Sequence, residues 1–364
     1  MREPAQKRQA RIAALVEARG SARITDLADE LAVSVVTVRR DVEELAQRGE
    51  LRRGHGVARS LQPMAQESTA TGDTIGMVVP ERNTYLTEAV QAAREAAEKA
   101  GLRLALHIAA DEHGTEHGTE RAVRQALDAG ARGLLLAPRW RTEAEARADH
   151  AWLADLEVPV VLVERRPHRG SAIYGLDCVR SDHAYGVHLA LEHLISLGHR
   201  RIVLAARDDS PTARVVRSEF AAQTAARGIS EGCPVMLSSR TAGPDPSPRD
   251  EREADLAAAV RRAGATAALI HGDMDALVLV QRLREAGIEV PRDCSVVAYN
   301  DVVADMGQIA LTAVAPPKGE VGQAALELLT RQLERTRAGR WAGAARHLEL
   351  LPHLVVRDST APLH

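Results

Sequence analysis

The sequence has few aromatic residues and few cysteines. Among its 364 residues are three Trp, four Tyr and one Phe, together 2% of the chain, so flat surfaces on which a ligand could stack are scarce. The three cysteines, Cys178, Cys233 and Cys294, are far apart and include no CxxC pair. This spacing argues against a zinc knot or a disulfide framework, and it favours buried thiols in a reducing compartment.

Long apolar runs and familiar catalytic motifs are also missing. No apolar run approaches the roughly 20 residues needed to cross a bilayer, and the first residues are charged and helical in pattern, unlike a secretory signal. No GxSxG, HExxH, P-loop or GxGxxG motif occurs. We therefore expect a cytoplasmic chain that is not an enzyme and uses no membrane, metal or cofactor.

One histidine pair could suggest a metal site. His113 and His117 lie four residues apart in a tandem HGTE sequence, and that spacing can place two ligands on one face of a helix. Two glycines in the same run argue against a rigid helix, and the run falls where a loop joins a strand to a helix. We expect no metal site there.

Charge is unevenly distributed along the chain. The first 60 residues contain 12 Lys and Arg against 9 Asp and Glu, a net charge of +3; since the whole chain carries −3, the remainder carries −6. The length exceeds that of one small domain. A basic N-terminal segment on an acidic body suits a nucleic-acid-binding module on a carrier that does not itself bind DNA.

Residues 24–47 have the pattern of two short helices joined by a turn. Thr25 and Ser34 can each cap a helix, because a hydroxyl accepts a backbone N–H that the first helical turn leaves unpaired. The second helix is expected to run to about Gln47. Each cap is followed by apolar residues at helical spacing, first Leu27, Ala28 and Leu31, then Val35, Val38, Val42 and Leu45.

The second helix is the candidate DNA-reading element, with residues 35–40 against the bases. Besides the two caps and Val35, the DNA-contacting set includes four residues wholly or partly off the apolar stripe, Val36, Thr37, Arg39 and Arg40. Arginine suits this role because its planar guanidinium donates two parallel hydrogen bonds to a guanine edge or a phosphate. Residues 51–57 then predict a small hairpin with a basic tip, whose Arg52, Arg53 and His55 would hold phosphates or reach the minor groove.

These features closely resemble the winged helix of DeoR-type bacterial repressors over roughly residues 6–58. The resemblance rests on Val33-Ser34-x-x-Thr37-Val38-Arg39-Arg40-Asp41-Val42, followed by Leu45, Gly49, Leu51, Arg53, His55-Gly56 and Ala58. It departs at Val57, where that family usually has a second glycine. The resemblance implies a domain over residues 1–58 that binds double-stranded operator DNA as one half of a dimer on a pseudo-palindrome.

Residues 59–73 are polar, contain Pro63 and lack periodicity, which predicts a linker. Beyond it, strand patterns at 74–79, 102–109, 133–137, 158–163, 201–205, 234–237, 267–271 and 295–299 alternate with helix patterns at 84–100, 118–129, 143–156, 182–197, 212–227, 251–263 and 273–286. This alternation, with a break near 165–175, predicts an α/β fold of two halves with parallel sheets covered by helices. Ligands bind beyond the carboxyl ends of such strands, so two facing halves form a cleft.

Several motifs in these halves resemble the sensor domain of lactose-repressor-type (LacI/GalR) regulators, itself similar to periplasmic sugar-binding proteins. They are HLIxLGHRRI from His193, LREAGIxVPRDxSVVxYxD from Leu283, LTxVxPP from Leu311 and ExGxxA from Glu320. The resemblance covers about residues 74–357. It implies a dimer of two-lobed, ligand-responsive sensors, with one lobe over 74–170 and 315–337 and the other over 171–314 and 338–357.

The same resemblance implies ligand-facing positions where this sequence matches the family. They are Asn83 and Tyr85 after the first strand, Glu164 and Arg165 in place of an Asp-Arg pair, Arg217 (or Arg214, since two registers fit), Asp273 and Asn300. A carboxylate and a guanidinium suit sugar hydroxyls because each can bond two adjacent ones. Trp140 follows the third strand and either lines the cleft or covers apolar helix surface.

At three positions the sequence departs from the family's pattern. Gly272 stands where Asn is common, Glu164 is longer than the usual Asp, and Glu219 replaces a usual Gly. One hydrogen-bonding group is therefore deleted and another displaced, so the usual ligand geometry need not apply.

Together these features predict a one-component transcription regulator, most simply a homodimeric repressor of carbohydrate uptake or catabolism genes that responds to a small sugar-like effector. Two alternatives stay open. One is a solute-binding protein of an uptake system; the other is a sugar-phosphate-metabolising enzyme, because the body of standard DeoR repressors resembles sugar-phosphate isomerases. Since residues 59–73 lack a helical pattern, we also predict that the wing replaces the minor-groove hinge helix of lactose-type repressors.

Overall fold

In the computed structural model the chain divides into two units, Met1–Thr69 and Ala70–His364. The structure describes residues 8–9, 11–12, 21–24, 27–28, 33–47, 51–54, 57–60, 73–80, 84–109, 118–239, 255–339 and 343–363. The first unit contains a three-stranded sheet, and the second contains two six-stranded sheets.

The described part of the first unit is a winged helix. Helix α1 spans Val35–Gln47, and strands β1 (Ser21–Arg23), β2 (Leu51–Gly54) and β3 (Val57–Ser60) form an antiparallel sheet in the order β1-β3-β2. Gly54 pairs with Val57, so β2 and β3 form the predicted hairpin. Strand β3 runs two residues into the segment interpreted as a linker, because its end pairs through the backbone with β1 and β2, which composition does not reveal.

An apolar cluster packs α1 against the preceding chain. Its fully or almost fully buried members are Ile12, Ile24, Leu27, Ala28, Val38, Val42 and Leu45. The helical spacing of Val35, Val38, Val42 and Leu45 predicts that all four pack inward on one side of the helix. For Val35 this is wrong: the residue is 38% exposed, because it lies in the first turn of α1, outside the cluster.

A buried carboxylate ties α1 to the start of the chain. Asp41 accepts hydrogen bonds from Arg8 Nε at 2.6 Å and Nη2 at 3.2 Å, and from Gln9 Nε2 at 3.3 Å. A buried charge is tolerated only when it is paired and hydrogen-bonded. Arg8 and Gln9 therefore help to fix the orientation of α1.

The first lobe of the second unit is a parallel sheet with helices between its strands. Its strands are β4 (Thr74–Pro80), β5 (Arg103–Ala109), β6 (Ala131–Leu136), β7 (Val160–Val163), β8 (Asp177–Ser181) and, much later in the chain, β14 (His347–Leu350). They lie in the order β14-β8-β7-β6-β4-β5. The intervening helices are α2 (Thr87–Lys99, after a 3-10 turn at Thr84–Leu86), α3 (Gly118–Asp128) and α4 (Glu143–Ala154).

The second lobe repeats this arrangement. Its strands are β9 (Ile202–Ala205), β10 (Val235–Met236), β11 (Ala267–His271), β12 (Ser295–Tyr299), β13 (Thr312–Ala315) and β15 (His353–Val355), in the order β10-β9-β11-β12-β13-β15. Only the β13–β15 pair in this sheet is antiparallel. The helices are α5 (His183–Ser196), α6 (Pro211–Ala226, followed by a 3-10 turn at Ser230–Gly232), α7 (Leu256–Ala263) and α8 (Asp273–Glu285).

The chain passes between the lobes after β8, after β13 and after β14. Strands β8 and β14 therefore lie in the first lobe, whereas the lobe limits expected from the sequence assign them to the second. Both strands mix charged residues with apolar ones and lie at one side of their sheet, so neither has the continuous apolar run that marks a central parallel strand.

Helix α9 (Lys318–Arg337) returns from the second lobe and packs on the first. Its buried residues include Val321, Leu326 and Leu329, which join the core of the first sheet. Where α9 crosses α2, Gly322 brings the two backbones together: a Cβ at this position would lie 2.0 Å from the Ala89 carbonyl oxygen.

Gly322→Ala tests this close approach. The added methyl would collide with backbone atoms that cannot move aside, so we expect a loss of roughly 1–3 kcal/mol in the free energy of unfolding, measured by urea titration. Gly175→Ala is the matched control, because a Cβ there meets no atom within 4 Å. Equal stability of the two variants would contradict the packing of α9 on α2.

Candidate functional site

The first candidate site is the exposed side of α1, which begins at a capped N-terminus. The Thr37 N–H donates to Ser34 Oγ at 3.2 Å, and the two hydroxyl oxygens are 2.8 Å apart. Ser34 therefore caps α1 as predicted, since its side chain satisfies a donor of the first turn.

Beyond the cap, three of the side chains predicted to read bases point into solvent, whereas Val38, inside the predicted stretch 35–40, is buried in the apolar cluster. Val36 is 74% exposed, and Arg39 and Arg40 are also exposed. Arg40 Nε lies 3.2 Å from Glu44 Oε1 in an exposed ion pair. Such surface pairs are weak, so the guanidinium can turn to a phosphate or a base.

Only some of the remaining predicted DNA contacts fall within the described residues. Arg52 and Arg53 lie in β2, on the wing. Thr25 and His55 fall outside the described residues. The DNA-binding roles of all these residues stay predictions.

The second candidate site is a cavity of about 360 Å³ between the two lobes, called here the inter-lobe cavity. Its lining comes from loops that follow β4, β6, β7, β9, β11 and β12, so carboxyl ends of strands from both sheets meet there. This is where open α/β sheets bind ligands. Four residues predicted to face a ligand line it: Tyr85, Arg165, Asp273 and Asn300.

Glu164 follows β7 and is buried near the end of β8, where the chain first passes to the second lobe. Its carboxylate accepts hydrogen bonds from Tyr85 Oη at 2.7 Å, Ser181 Oγ at 2.8 Å and the Ser181 N–H at 3.2 Å, and His183 Nε2 lies 3.5 Å away. Burial would raise the pKa of Glu164, but the interactions with His183, Tyr85 and Ser181 outweigh it and lower the pKa to about 2. The carboxylate is thus committed to the protein itself.

Arg165 follows Glu164 and is also buried. Its Nε donates to the Pro138 carbonyl, and its Nη1 donates to the Glu164 carbonyl at 2.8 Å. Burial lowers the pKa of Arg165 to about 10, so the group remains a cation at neutral pH. These bonds fix the guanidinium at the wall of the inter-lobe cavity.

Asp273 begins α8 and organises the loop after β12. Its carboxylate accepts the backbone N–H groups of Asp301 (3.1 Å), Val302 and Val303 (2.9 Å). Burial raises the pKa of Asp273 despite these bonds. The residue therefore shapes the cavity through the loop that it holds.

Asn300 belongs to that loop and has a backbone φ of +106°, a left-handed region that costs energy for a residue with a side chain. Its carbonyl oxygen accepts a hydrogen bond from Lys318 Nζ at 2.7 Å. Lys318 begins α9, where the chain passes from the second lobe back to the first. The side-chain Oδ1 of Asn300 is buried without a hydrogen-bond partner in the described structure.

Trp140 and Arg214 line a neighbouring cavity of about 660 Å³, which also touches Glu164 and Arg165. The Trp140 ring is 5% exposed and its Nε1 donates to Asp149 Oδ2 at 2.8 Å, so its polar atom is already used. Arg214 donates to the carbonyls of Arg141 and Trp140. Because the ring is buried, the structure favours the second interpretation of Trp140, in which it packs against apolar surface.

Three predicted positions do not line the inter-lobe cavity in the described structure: Glu164, Trp140 and Arg217. Arg217 Nη1 donates to the carbonyl oxygens of Ala206 at 3.1 Å and Met236 at 3.4 Å, and the residue lines neither cavity. Asn83 lies outside the described residues. Between the two possible registers, the structure thus brings Arg214, not Arg217, to the cleft.

The polar residues of the inter-lobe cavity that the sequence analysis missed include Arg207, Asp209 and His271. Arg207 grips Asp209 through two bonds of 2.8 and 2.6 Å; burial would raise the pKa of Asp209, but this pairing lowers it. Their position in the sequence could have indicated them, because Arg207 and Asp209 closely follow β9 and His271 is the last residue of β11.

The described residues were also searched for metal and membrane sites. They contain no group of three or more His, Cys, Asp and Glu placed to hold a metal ion. Within the same described ranges, no helix is both long and apolar enough to cross a membrane.

Comparison with known families assigns the two parts of the chain. Residues 8–64 match the model of the DeoR-like helix-turn-helix domain, and residues 191–360 match that of the periplasmic binding protein-like domain. The two matches lie on different units of the chain. The predicted resemblances and the predicted α/β fold are thereby confirmed, and the winged helix described above lies within the residues that match the DeoR-like model.

Curated relatives match about half of the chain. The arabinose metabolism transcriptional repressor of Geobacillus stearothermophilus is 27% identical over 209 residues, which cover 57% of this chain and 55% of the relative. That of Halalkalibacterium halodurans is 31% identical over 182 residues, or 50% of this chain and 48% of the relative. The chain spans about half the length of these relatives, both of which are transcriptional repressors by name.

Solved structures support the same fold. A LacI family transcriptional regulator from Enterococcus faecium with bound ribose superposes with a TM-score of 0.62 at 23% identity, covering 80% of this chain and 100% of the other. At this identity the likeness establishes the fold of the two lobes.

Glu164→Gln tests the buried carboxylate network. Folding lowers the pKa of Glu164 from 4.5 to about 2, so the ionised form contributes about 3 kcal/mol at neutral pH. The variant should lose about that much in urea unfolding at pH 7. The deficit should shrink as the pH falls from 4.5 towards 2, because the depressed pKa stabilises only the ionised group.

Glu349→Gln is the control, because that carboxylate is partly exposed in its pairs with Arg166 and Arg180. Exposed pairs of this kind contribute at most about 1 kcal/mol. A Glu164→Gln deficit no larger than the control's would show that the network does not stabilise the fold.

Proposed function

We propose that this protein is a ligand-responsive DNA-binding transcription regulator, a repressor of carbohydrate uptake or catabolism genes that binds operator DNA through its DeoR-like domain. One observation carries the proposal: the same chain has a capped helix with outward-facing arginines and a two-lobed unit with a polar cavity between its lobes. A solute-binding protein or a sugar-phosphate enzyme has no need of the first feature.

The DNA contacts follow from the exposed side of α1. Val36, Thr37, Arg39 and Arg40 lie against base edges in the major groove, while the wing carries Arg52, Arg53 and His55 to the backbone or the minor groove. The buried Val38 serves the core. Ser34, at the capped end, is positioned like the helix N-termini that bind phosphates.

Arg39→Ala tests DNA reading. We expect operator affinity to fall by about 1–3 kcal/mol and preference at one base position to relax, because a bidentate contact to a base is lost. The measurement is fluorescence anisotropy with a promoter fragment from upstream of its own gene and a scrambled duplex. Arg262→Ala, an exposed arginine of α7, is the control, and equal loss in both variants, or no wild-type preference for promoter DNA, would refute the assignment.

The effector is a small sugar or sugar derivative bound in the inter-lobe cavity. Its volume of about 360 Å³ falls within the range of small-molecule sites. The names of the relatives, an arabinose metabolism repressor and a regulator with bound ribose, favour sugars over other small molecules. Closure of the lobes on the sugar alters the spacing of the two DeoR-like domains, by a coupling of roughly 1–3 kcal/mol, and the wing acts in place of a hinge helix.

The regulator acts as a homodimer. Helix α8 exposes Met274 and Val278, one turn apart, and the loop after β12 exposes Met306 to 73%. In the first lobe, the edge strand β5 exposes Leu106 and Ile108. Apolar side chains grouped in this way favour contact with another protein surface, and a second copy of this chain matches the two-fold symmetry of a pseudo-palindromic operator.

Val278→Glu combined with Met306→Glu tests the dimer. A carboxylate buried in an apolar interface is costly, so we expect the dimer dissociation constant to rise at least about tenfold, as measured by sedimentation equilibrium. Val356→Glu alters a similarly exposed apolar residue elsewhere on the second lobe and should leave the dimer intact. A charged double variant that dimerises as tightly as the wild type would exclude this face.

A further inference from the structure

A series of polar contacts links the start of the sequence to an exposed arginine of α1. Gln9 is only 6% exposed, and its Nε2 donates to Glu44 Oε2 at 2.6 Å and to Asp41 Oδ1 at 3.3 Å. The other carboxylate oxygen of Glu44, Oε1, lies 3.2 Å from Arg40 Nε. Because Gln9 precedes Glu44 by 35 positions in the sequence, these contacts form only when the first unit folds.

The two carboxylates fix the orientation of the Gln9 amide. An ionised carboxylate only accepts hydrogen bonds, so the nitrogen of the amide must face Glu44 and Asp41. Asp41 and Glu44 are three residues apart and therefore lie on the same side of α1. Arg8 pairs with Asp41, whereas Glu44 pairs with Arg40. Gln9 thus holds the carboxylate that faces Arg40.

The Arg40–Glu44 pair contributes little to the stability of the helix. Its side chains are 82% and 44% exposed, and an exposed pair must order two long side chains for a small gain. An arginine that precedes the glutamate by four residues is also the less favourable order in a helix. Since Gln9 has already ordered Glu44, the contact restrains Arg40 at a smaller entropic cost.

The contact leaves the outer edge of the Arg40 guanidinium available. Glu44 faces Nε, and Nη1 and Nη2 make no hydrogen bond to the described residues. Two guanidinium nitrogens can donate in parallel to O6 and N7 of guanine. An unrestrained arginine also follows the phosphates, which carry no sequence information. Restraint by Glu44 therefore favours the guanine.

We propose that Glu44, held by Gln9, directs Arg40 to a guanine and away from phosphates, so that these two positioning residues set the base preference at one operator position. The inference rests on the proposed function and adds residues that act through a DNA-reading side chain. Without the restraint, Arg40 still binds DNA, but through contacts that do not depend on sequence.

Selection of bound duplexes from a randomised pool, followed by sequencing, tests the inference on the full chain. The wild type should prefer G at one position by about fivefold or more, and Arg40→Ala should identify that position by abolishing the preference. Glu44→Ala should lower the preference there by about threefold or more. It should also steepen the slope of log affinity against log salt by about 0.9, because the released guanidinium gains a phosphate.

Two further variants separate positioning from charge. Glu43→Ala removes the exposed glutamate next to Glu44 on α1, so it changes the net charge equally but should keep the base preference. Gln9→Ala should relax the same position as Glu44→Ala, and combining the two should relax it no further, since both act through Arg40. Thermal melting checks folding, and the partly exposed Glu44 keeps the test valid if Gln9→Ala unfolds.

The inference is overturned if Glu44→Ala selects the same bases as the wild type, if Glu43→Ala relaxes the position equally, or if Arg40→Ala leaves every preference intact. The wild-type selection separates these results from the fate of the proposed function. A wild type that enriches a sequence, while the variants fail the test, remains a DNA-binding regulator that reads bases in another way. A wild type that enriches no sequence refutes the proposed function and this inference with it.

Discussion

The buried carboxylate of Glu164 is the interaction on which the two-lobed unit depends. It lies where the first lobe meets the first crossing and accepts hydrogen bonds from Tyr85 and Ser181. His183, which faces it, also bonds Tyr299 of the second lobe across 3.2 Å. One chain of polar contacts therefore runs from the first sheet through the crossing to the second sheet. An ion in this position must be fully satisfied, which leaves Glu164 no capacity to bind a ligand.

This constraint changes which residues can recognise a small molecule. Glu164, Asp273 and Asp209 all stand at the cleft, but each is bonded to neighbouring protein groups. Within the described residues of the cleft, His271 and Asn300 have buried side-chain atoms without a hydrogen-bond partner. The carboxylates of the cleft thus act mainly as its framework.

Much of the fold follows from local pattern. The capped helix α1 and the hairpin after it were predictable because caps, helical spacing and the short turn between β2 and β3 are properties of neighbouring residues. The buried strands β4, β7, β9, β11 and β12 were predictable because central parallel strands are apolar along their length. Strands β1, β8, β13, β14 and β15 were not, since each has only three to five residues and so short a run gives little periodic signal. The burial of Asp41 beside Arg8 escaped prediction because the two residues are 33 positions apart in the sequence.

The sequence by itself determined that a capped helix with arginines off its apolar stripe precedes a two-lobed α/β unit, because caps, periodicity and strand ends are properties of neighbouring residues. Tertiary structure alone decided which polar side chains share the cleft. Arg214 bonds the Trp140 carbonyl of the first lobe across the cleft, whereas Arg217 bonds the Ala206 carbonyl of its own lobe, although the two arginines are three residues apart on one helix. It also decided that Glu164 is an internal anchor and that His271 lies unpartnered beside Gly272. These outcomes depend on the packing of two lobes against each other, and hydrogen-bond partners in a folded core come from all parts of the chain.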